Sequence, residues 1–114
     1  MPFINVKTNV ALGNTKKHII QDKISQAISL IPGKSDKYLM CAVEDSISMM
    51  FHRDSNINLA FVEVKLLGSS TKEAYANLTA EICNILENEA DVKGCNCYVK
   101  FEEVTHWGMD GFMF

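Results

Sequence analysis

Pro2 is the residue whose type and position together suggest chemistry. An initiator methionine is usually removed before a small second residue, so we expect the mature chain to begin with the secondary amine of Pro2. An exposed α-amino group has a pKa of about 7.7–8.0, and burial or a nearby cation lowers it. A neutral amine at neutral pH can act as a general base. The residues alone equally allow a solvated terminus, because many proteins begin with Met-Pro.

The cysteines and histidines lack the spacing of a metal site or a redox motif. Cys41, Cys83, Cys95 and Cys97 form no C-x-x-C, and the three histidines lie far from one another in the sequence. We therefore expect free, buried thiols in a reducing compartment, and no metal or organic cofactor. Cys95 and Cys97 would lie on the same face of a strand, which leaves thiol chemistry open.

Composition limits the class of protein. The chain has 114 residues, of which 47% are hydrophobic, and a net charge of -3. This length and composition indicate one folded domain over residues 1–114 and exclude a disordered chain. The net charge argues against a nucleic-acid partner. No apolar run approaches the roughly 20 residues that a membrane helix needs, so we expect no membrane insertion and no signal peptide.

Hydrophobic periodicity predicts the element order strand, helix, strand, strand, helix, strand. We place an N-cap at Asn14-Thr15, the end of the first helix at Pro32-Gly33 and a capping box beginning with Ser70 at the second helix. The predicted strands cover residues 4–8, 38–43, 59–67 and 96–104, with a short edge strand at 49–51. The 38–43 run is mostly apolar, so we expect a strand buried on both faces.

These elements predict an α+β fold, in which a four-stranded mixed sheet carries both helices on one face. Apolar residues occur on both faces of the 59–67 strand, since Phe61 and Leu67 lie opposite Val62 and Leu66. A sheet that is apolar on both faces needs another covering layer, which self-association would supply. The chain also ends in an apolar tail, residues 107–114, with Asp110-Gly111 as the predicted turn.

Several short motifs follow one another in an order that resembles the macrophage migration inhibitory factor and D-dopachrome tautomerase family of the tautomerase superfamily. The resemblance covers essentially the whole chain. The motifs are Pro2 at the start of a strand, Thr8-Asn9-Val10, Gly33-Lys34 before Tyr38, Met49 with Phe51, Gly68, Tyr98 and the terminal Phe114.

The resemblance implies a homotrimer of β-α-β-β-α-β protomers with active sites at the subunit interfaces. It also implies keto–enol tautomerisation of phenylpyruvate-like or D-dopachrome-like substrates, with the N-terminal proline, here Pro2, as the catalytic acid and base. Lys34 matches the lysine that meets the substrate carboxylate, and Leu67 the residue whose backbone amide faces the substrate. Tyr98 matches the tyrosine contributed by the neighbouring chain. The remaining substrate-binding positions implied are Tyr38, Trp107, Met109 and Phe114.

Three features depart from the family pattern. Lys100 replaces an asparagine of the vertebrate protein; if it reaches the pocket it would lower the pKa of the amine further and favour anionic substrates. If it points into solvent, it changes little. The turn after Phe51 reads His52-Arg53-Asp54 and has an extra residue. The vertebrate C-x-x-C is missing, so thiol oxidoreductase activity is not implied.

Three functional hypotheses follow. The first is a phenylpyruvate tautomerase or L-dopachrome isomerase acting on a small aromatic α-keto acid. The alternative is a secreted, cytokine-like signalling protein with a vestigial pocket, whose partner would be the MHC class II invariant chain of a host. The third is a ferredoxin-like binding module without chemistry. For the family members, the resemblance implies a cytoplasmic location together with secretion that needs no signal peptide.

Overall fold

The computed structural model describes residues Met1–Phe114 and contains a four-stranded sheet with two α-helices. In chain order the elements are β1 (Pro2–Thr8), α1 (Gly13–Ala27), β2 (Met40–Glu44), β3 (Ala60–Leu67), α2 (Lys72–Ala90), β4 (Cys97–Val104) and a terminal hairpin of β5 (Gly108–Met109) and β6 (Phe112–Met113). Short 3-10 turns cover residues 28–30, 36–38 and 94–96. The predicted α+β order is confirmed.

The sheet is mixed, with the strand order β2-β1-β3-β4. β1 runs parallel to β2 and antiparallel to β3, and β3 runs parallel to β4. Alternate residues of β1 and β3 are fully buried on one face, among them Ile4, Val6, Val62 and Val64. The helices cover this face, and their buried residues form one core cluster with those of the strands. The apolar residues at helical spacing in α1 and the turn after it, and those in α2, are buried, namely Ile20, Ile24, Ala27, Ile28 and Ile31, and Ala74, Leu78, Ile82, Ile85 and Leu86.

Both helices begin differently from the prediction. Neither Asn14 nor Thr15 caps α1, because the Asp45 carboxylate accepts the backbone N–H of Leu12 at 2.8 Å and that of Gly13 at 3.4 Å. Asp45 also pairs with Lys17 at 2.9 Å. The hydrogen bond from Lys17 and the backbone donors lower the pKa of Asp45 to about 2.

At α2 the cap is Thr71, one residue after the predicted Ser70. Its hydroxyl accepts the Ala74 N–H at 3.1 Å, so the capping interaction is real but the predicted register is wrong. The hydroxyl of Tyr75 accepts the N–H of Ser70 instead.

The prediction that residues 38–43 form a strand buried on both faces is wrong. β2 lies at the sheet edge, and its first residue, Met40, is 71% exposed. Residues 49–51 form no strand, and Phe51 makes only an isolated bridge with Asp54.

The uncovered sheet face, which we call the open face, is mixed rather than apolar. In register, Glu63 on β3 stands beside Lys100 on β4, and Lys65 stands beside Glu102. Phe61 and Leu67 lie at the two ends of this face on β3. Half of the β3 residues on this face are therefore charged, which the sequence interpretation did not take into account.

The terminal hairpin turns at Asp110-Gly111 as predicted. Both residues have positive φ, 54° and 80°, which is the backbone of a type I′ turn and favours a glycine at the second position. Phe112 is 74% exposed in this chain. Neither helix combines the length and the apolar character needed to span a membrane.

Candidate functional site

Pro2 is buried at one end of the sheet, where β1 begins and β3 ends. It pairs in register with Leu66 and lies on the helix-covered side, in the same alternation as Ile4. Beside it is a groove of about 600 Å³. Predicted site residues that line it are Pro2, Tyr38, Trp107 and Met109.

The contacts around Met1 show which polar groups lie next to Pro2. Its carbonyl oxygen accepts the backbone N–H of Leu67 at 3.2 Å, and the Lys34 Nζ donates to the carbonyl oxygen of the same Leu67 at 2.8 Å. Burial, followed by the charge of Lys34 and a hydrogen bond with it, lowers the pKa of the Met1 amine. The structure thus brings to the N-terminus Lys34 and the Leu67 amide, the two groups that the family resemblance assigns to substrate binding.

The groove is apolar and cationic. Seven of its 11 lining residues are hydrophobic, its charged side chains are Lys37 and Lys65, and no carboxylate lines it. The Lys37 ammonium lies 5.3 Å from the centre of the Tyr38 ring. A chain with a net charge of -3 therefore has a positive site here, which suits an anion that carries an apolar body.

The terminal hairpin forms one wall. The N–H of Phe114 donates to the carbonyl oxygen of Trp107 at 2.9 Å, which closes the hairpin beyond its two short strands. Phe114 lines a second depression, of about 390 Å³, together with Met1 and Tyr38. The apolar tail is therefore part of the site and is not a loose end.

Tyr98 and Lys100 lie away from this groove in the same chain. Tyr98 pairs in register with Phe61, five residues along β3 from the partner of Pro2, or about 17 Å at strand spacing. Its ring packs edge-on against Phe51 and lines a separate apolar pocket of about 250 Å³.

Lys100 is on the open face, where its Nζ pairs with Glu102 at 2.7 Å. The hydrogen bond and charge of Glu102 raise the pKa of Lys100. One chain thus brings together Pro2, Lys34 and Leu67, but not Tyr98 or Lys100.

The groove residues that the sequence interpretation did not include as site residues are Met1, Phe3, Lys37, Leu39, Met40, Lys65 and Gly108. Two of these residues could have been found from their positions, because Phe3 directly follows Pro2 in β1 and Lys65 pairs with Phe3 across the β1–β3 ladder. The positions of Lys37 and Met40 depend on how the chain turns after α1, which periodicity does not describe.

The arrangement offers acid–base and anion-binding groups and no cluster for a metal. No three His, Cys, Asp or Glu side chains converge to form such a group. The groove contributes an apolar wall and the ammonium groups of Lys37 and Lys65, and the Leu67 N–H and the Lys34 ammonium lie beside it at Met1. These groups can hold an organic anion and orient it against an amine.

This chain is similar to a known protein family and to several solved structures. The macrophage migration inhibitory factor (MIF) family profile matches residues 1–113. None of the curated protein sequences matches the chain significantly. Among solved structures, MIF2 of Leishmania major is 22% identical with a TM-score of 0.92, covering 100% of this chain and 97% of that one.

Two further structures are similar. The MIF-like protein of Entamoeba histolytica is 25% identical with a TM-score of 0.89, covering 99% of this chain and 98% of that one. Pt0534, solved after inactivation by 2-oxo-3-pentynoate, is 14% identical with a TM-score of 0.84, covering 96% of this chain and 93% of that one. This chain belongs to the macrophage migration inhibitory factor family.

Proposed function

We propose that this protein is a keto–enol tautomerase of small aromatic α-keto acids of the phenylpyruvate or dopachrome type, with the amine of Pro2 as its acid and base. One observation carries the proposal: the residue attached to the Pro2 nitrogen, Met1, lies between the Leu67 N–H and the Lys34 ammonium. Removal of Met1 would free both the amine and the space beside it. That space then offers an N–H donor for an oxygen and a cation for a carboxylate.

The proposed reaction moves one proton between carbon and oxygen. Lys34 holds the substrate carboxylate, and the Leu67 N–H donates a hydrogen bond to an oxygen of the same substrate. The neutral Pro2 amine removes a proton from the carbon next to the carbonyl group, and the resulting ammonium returns a proton at the other end of the enol system. Burial and the nearby Lys34 favour the neutral amine, because both disfavour a second positive charge.

The shape and charge of the groove support an aromatic, anionic substrate. Tyr38 and Trp107 provide apolar surface, and Lys37 and Lys65 add positive charge without a compensating carboxylate in the lining. The similar protein Pt0534 was inactivated by 2-oxo-3-pentynoate, which is itself an α-keto acid. That relative supports the substrate class, and the groove of this chain supports the aromatic ring.

The first test replaces the amine. Pro2→Gly retains a small second residue, so Met1 is still expected to be removed, which mass spectrometry of the N-terminus checks. We expect phenylpyruvate enolisation, followed by ultraviolet absorbance, to fall by about 10²–10⁴-fold, the usual contribution of a general base. Unchanged turnover in a variant with the oligomeric state of the parent would eliminate Pro2 as the base.

We further propose that the site is shared between subunits of a homotrimer. MIF homologues are typically homotrimers, and here Tyr98 is displaced from Pro2 by about 17 Å along the strand direction and by two strands across the sheet of one chain. A neighbouring subunit can present its Tyr98 end to the Pro2 end of this one. The apolar residues that are exposed around both ends, Met40, Tyr98 and Met109 among them, would be buried by that contact.

Mixed oligomers test this sharing. Pro2→Gly and Tyr98→Ala subunits are denatured, mixed in equal amounts and refolded, and each variant is refolded alone as the control. If the two residues come from different subunits, about a quarter of the sites regain both intact groups by random assembly in a closed ring. If they act within one chain, the mixture would show only the mean of the two separate activities.

A further inference from the structure

Cys83 on α2 and Cys97 at the start of β4 occupy matching positions along one helix–strand contact. The contact begins where the Tyr75 ring stacks on Phe101, with ring centres 4.5 Å apart. Because β3 and β4 are parallel, the connecting α2 runs antiparallel to β4. Cys83 lies eight residues after Tyr75, which is about 12 Å along the helix. Cys97 lies four residues before Phe101, which is about 13 Å along the strand in the same direction. Starting from the stacked rings, the two cysteines are therefore reached after nearly equal distances.

The surroundings of the two thiols are consistent with this match. Cys97 is partly buried, and its side chain packs against the core cluster on the helix-covered side. Burial, together with the neighbouring Cys83 and a hydrogen bond with its thiol, raises the pKa of Cys97 to about 12. The other two cysteines are placed differently, since Cys95 is exposed in the turn before β4 and Cys41 is on β2. The expectation that Cys95 and Cys97 share one strand face is therefore wrong.

We propose that Cys83 and Cys97 form a reversible disulfide when the protein meets hydrogen peroxide, which makes this pair an oxidation site that links α2 to β4. The site is separate from the Pro2 groove and requires no substrate chemistry. Neither residue belongs to a C-x-x-C motif, so the pair can be recognised only after the helix has been placed on the strand.

The oxidation balances in two steps. The Cys83 thiolate attacks one peroxide oxygen, the O–O bond breaks, and the released hydroxide takes up a proton to give water and a sulfenic acid on Cys83. The Cys97 sulfur, after loss of its proton, then attacks the Cys83 sulfur, and a second water leaves as the S–O bond breaks. Both cysteines are oxidised and the peroxide is reduced. The high pKa of Cys97 keeps its thiolate scarce and slows the second step, and the proximity of the two sulfurs offsets this by making the attack intramolecular.

The bond would tighten the contact between helix and strand. The two sulfurs must approach to about 2 Å, so α2 and the first residue of β4 move closer together. The crosslink also closes the chain between the two residues and removes freedom from the unfolded state, so the melting temperature is expected to rise by several degrees. Tyr98 directly follows Cys97 in β4, so its ring lies on the opposite face of the sheet, against Phe51 and Phe61.

The test is carried out on the full chain under non-denaturing conditions. The protein is treated with hydrogen peroxide, free thiols are blocked, and the unreduced protein is digested and analysed by mass spectrometry. We expect two of the four thiols of each chain to be lost, a linked peptide pair that contains Cys83 and Cys97, and full recovery with dithiothreitol. Four reactive thiols after treatment, or a crosslink that uses Cys95 between chains, would overturn the proposal.

Matched variants separate the pair from the other thiols. Cys95→Ser and Cys41→Ser should each still lose two thiols, whereas Cys83→Ser should lose the crosslink and the rise in melting temperature. Both cysteines are partly buried, but only Cys97 packs against the core cluster, so the Cys83 variant is expected to fold even where Cys97→Ser does not. If Cys83→Ser shows the same peroxide-induced rise in melting temperature as the parent, the crosslink does not explain that rise and the proposal fails.

Discussion

Replacing Lys34 by glutamine tests how the proposed site binds substrate and how it sets the state of the amine. One N–H of the Lys34 ammonium donates to the Leu67 carbonyl oxygen, and an ammonium has three donors, so two remain for a carboxylate. A hydrogen bond to a charged partner contributes about 1.5–3 kcal/mol. Its loss should therefore lower kcat/KM for phenylpyruvate by about 10–150-fold.

The same substitution should change the pH dependence. The Met1 amine is within hydrogen-bonding range of Lys34, and the Pro2 nitrogen is one residue further along the chain, at roughly 7 Å from the charge. Coulomb's law then gives about 0.6–2.4 kcal/mol for effective dielectric constants of about 80 to 20. Removing a positive charge favours the protonated amine, so the acidic limb of the kcat/KM profile should move upward by about 0.4–1.7 pH units.

The assay is the initial rate of phenylpyruvate enolisation from about pH 5 to pH 9, with Lys37→Gln as the control. Lys37 also lines the groove but is placed over Tyr38 rather than at the N-terminus. We expect Lys37→Gln to retain the acidic limb of the parent. If Lys34→Gln keeps both the parent value of kcat/KM and its acidic limb, Lys34 neither binds the carboxylate nor affects the amine, and the reasoning is wrong.

Two further predictions concern stability. The pKa of Asp45 in the folded chain is about 2, below its unfolded value, so its stabilising effect is full above about pH 4 and is lost as the pH falls toward 2. Asp45→Asn should therefore lower the melting temperature more at pH 7 than at pH 2.5, as measured by circular dichroism. Leu78→Ala removes a fully buried side chain from α2 and should reduce the free energy of unfolding by about 2–5 kcal/mol in urea titrations at fixed protein concentration; a loss within error would contradict its place in the core.

The sequence predicts the parts of the fold that depend on local periodicity. Val62, Val64 and Leu66 alternate with polar residues, so they determine which face of β3 is buried without knowledge of its partners. The turn at Asp110-Gly111 is predictable for the same reason, since a local backbone requirement selects these residue types. The position of Pro2 suggests an amine base but does not exclude an ordinary solvated terminus, and Lys34 could be named only through the family resemblance, because nothing local distinguishes it from a surface lysine.

The predictions for the α1 cap and for the burial of β2 are wrong because both features depend on long-range contacts. Asp45 caps a helix that begins over 30 residues earlier, so a search for a capping side chain near residue 14 could not identify it. β2 is apolar in sequence yet lies at an edge, because strand order is a property of the whole sheet. Binding to the invariant chain, secretion and a cytoplasmic location stay predictions, since they depend on partners and compartments rather than on contacts within this chain.

The open face changes the argument for self-association. Its centre carries Glu63, Lys65, Lys100 and Glu102, and removing charges of this kind from water costs several kcal/mol each unless every one is well paired. The Lys100–Glu102 pair is partly exposed, and its two charges cost little free energy only while water can reach them. We therefore expect subunits to meet through the exposed apolar residues at the rim rather than across the centre of this face. Such contacts leave the charged centre wet and bring the Tyr98 end of one chain toward the Pro2 end of the next, so assembly and the completion of the proposed site would be one event.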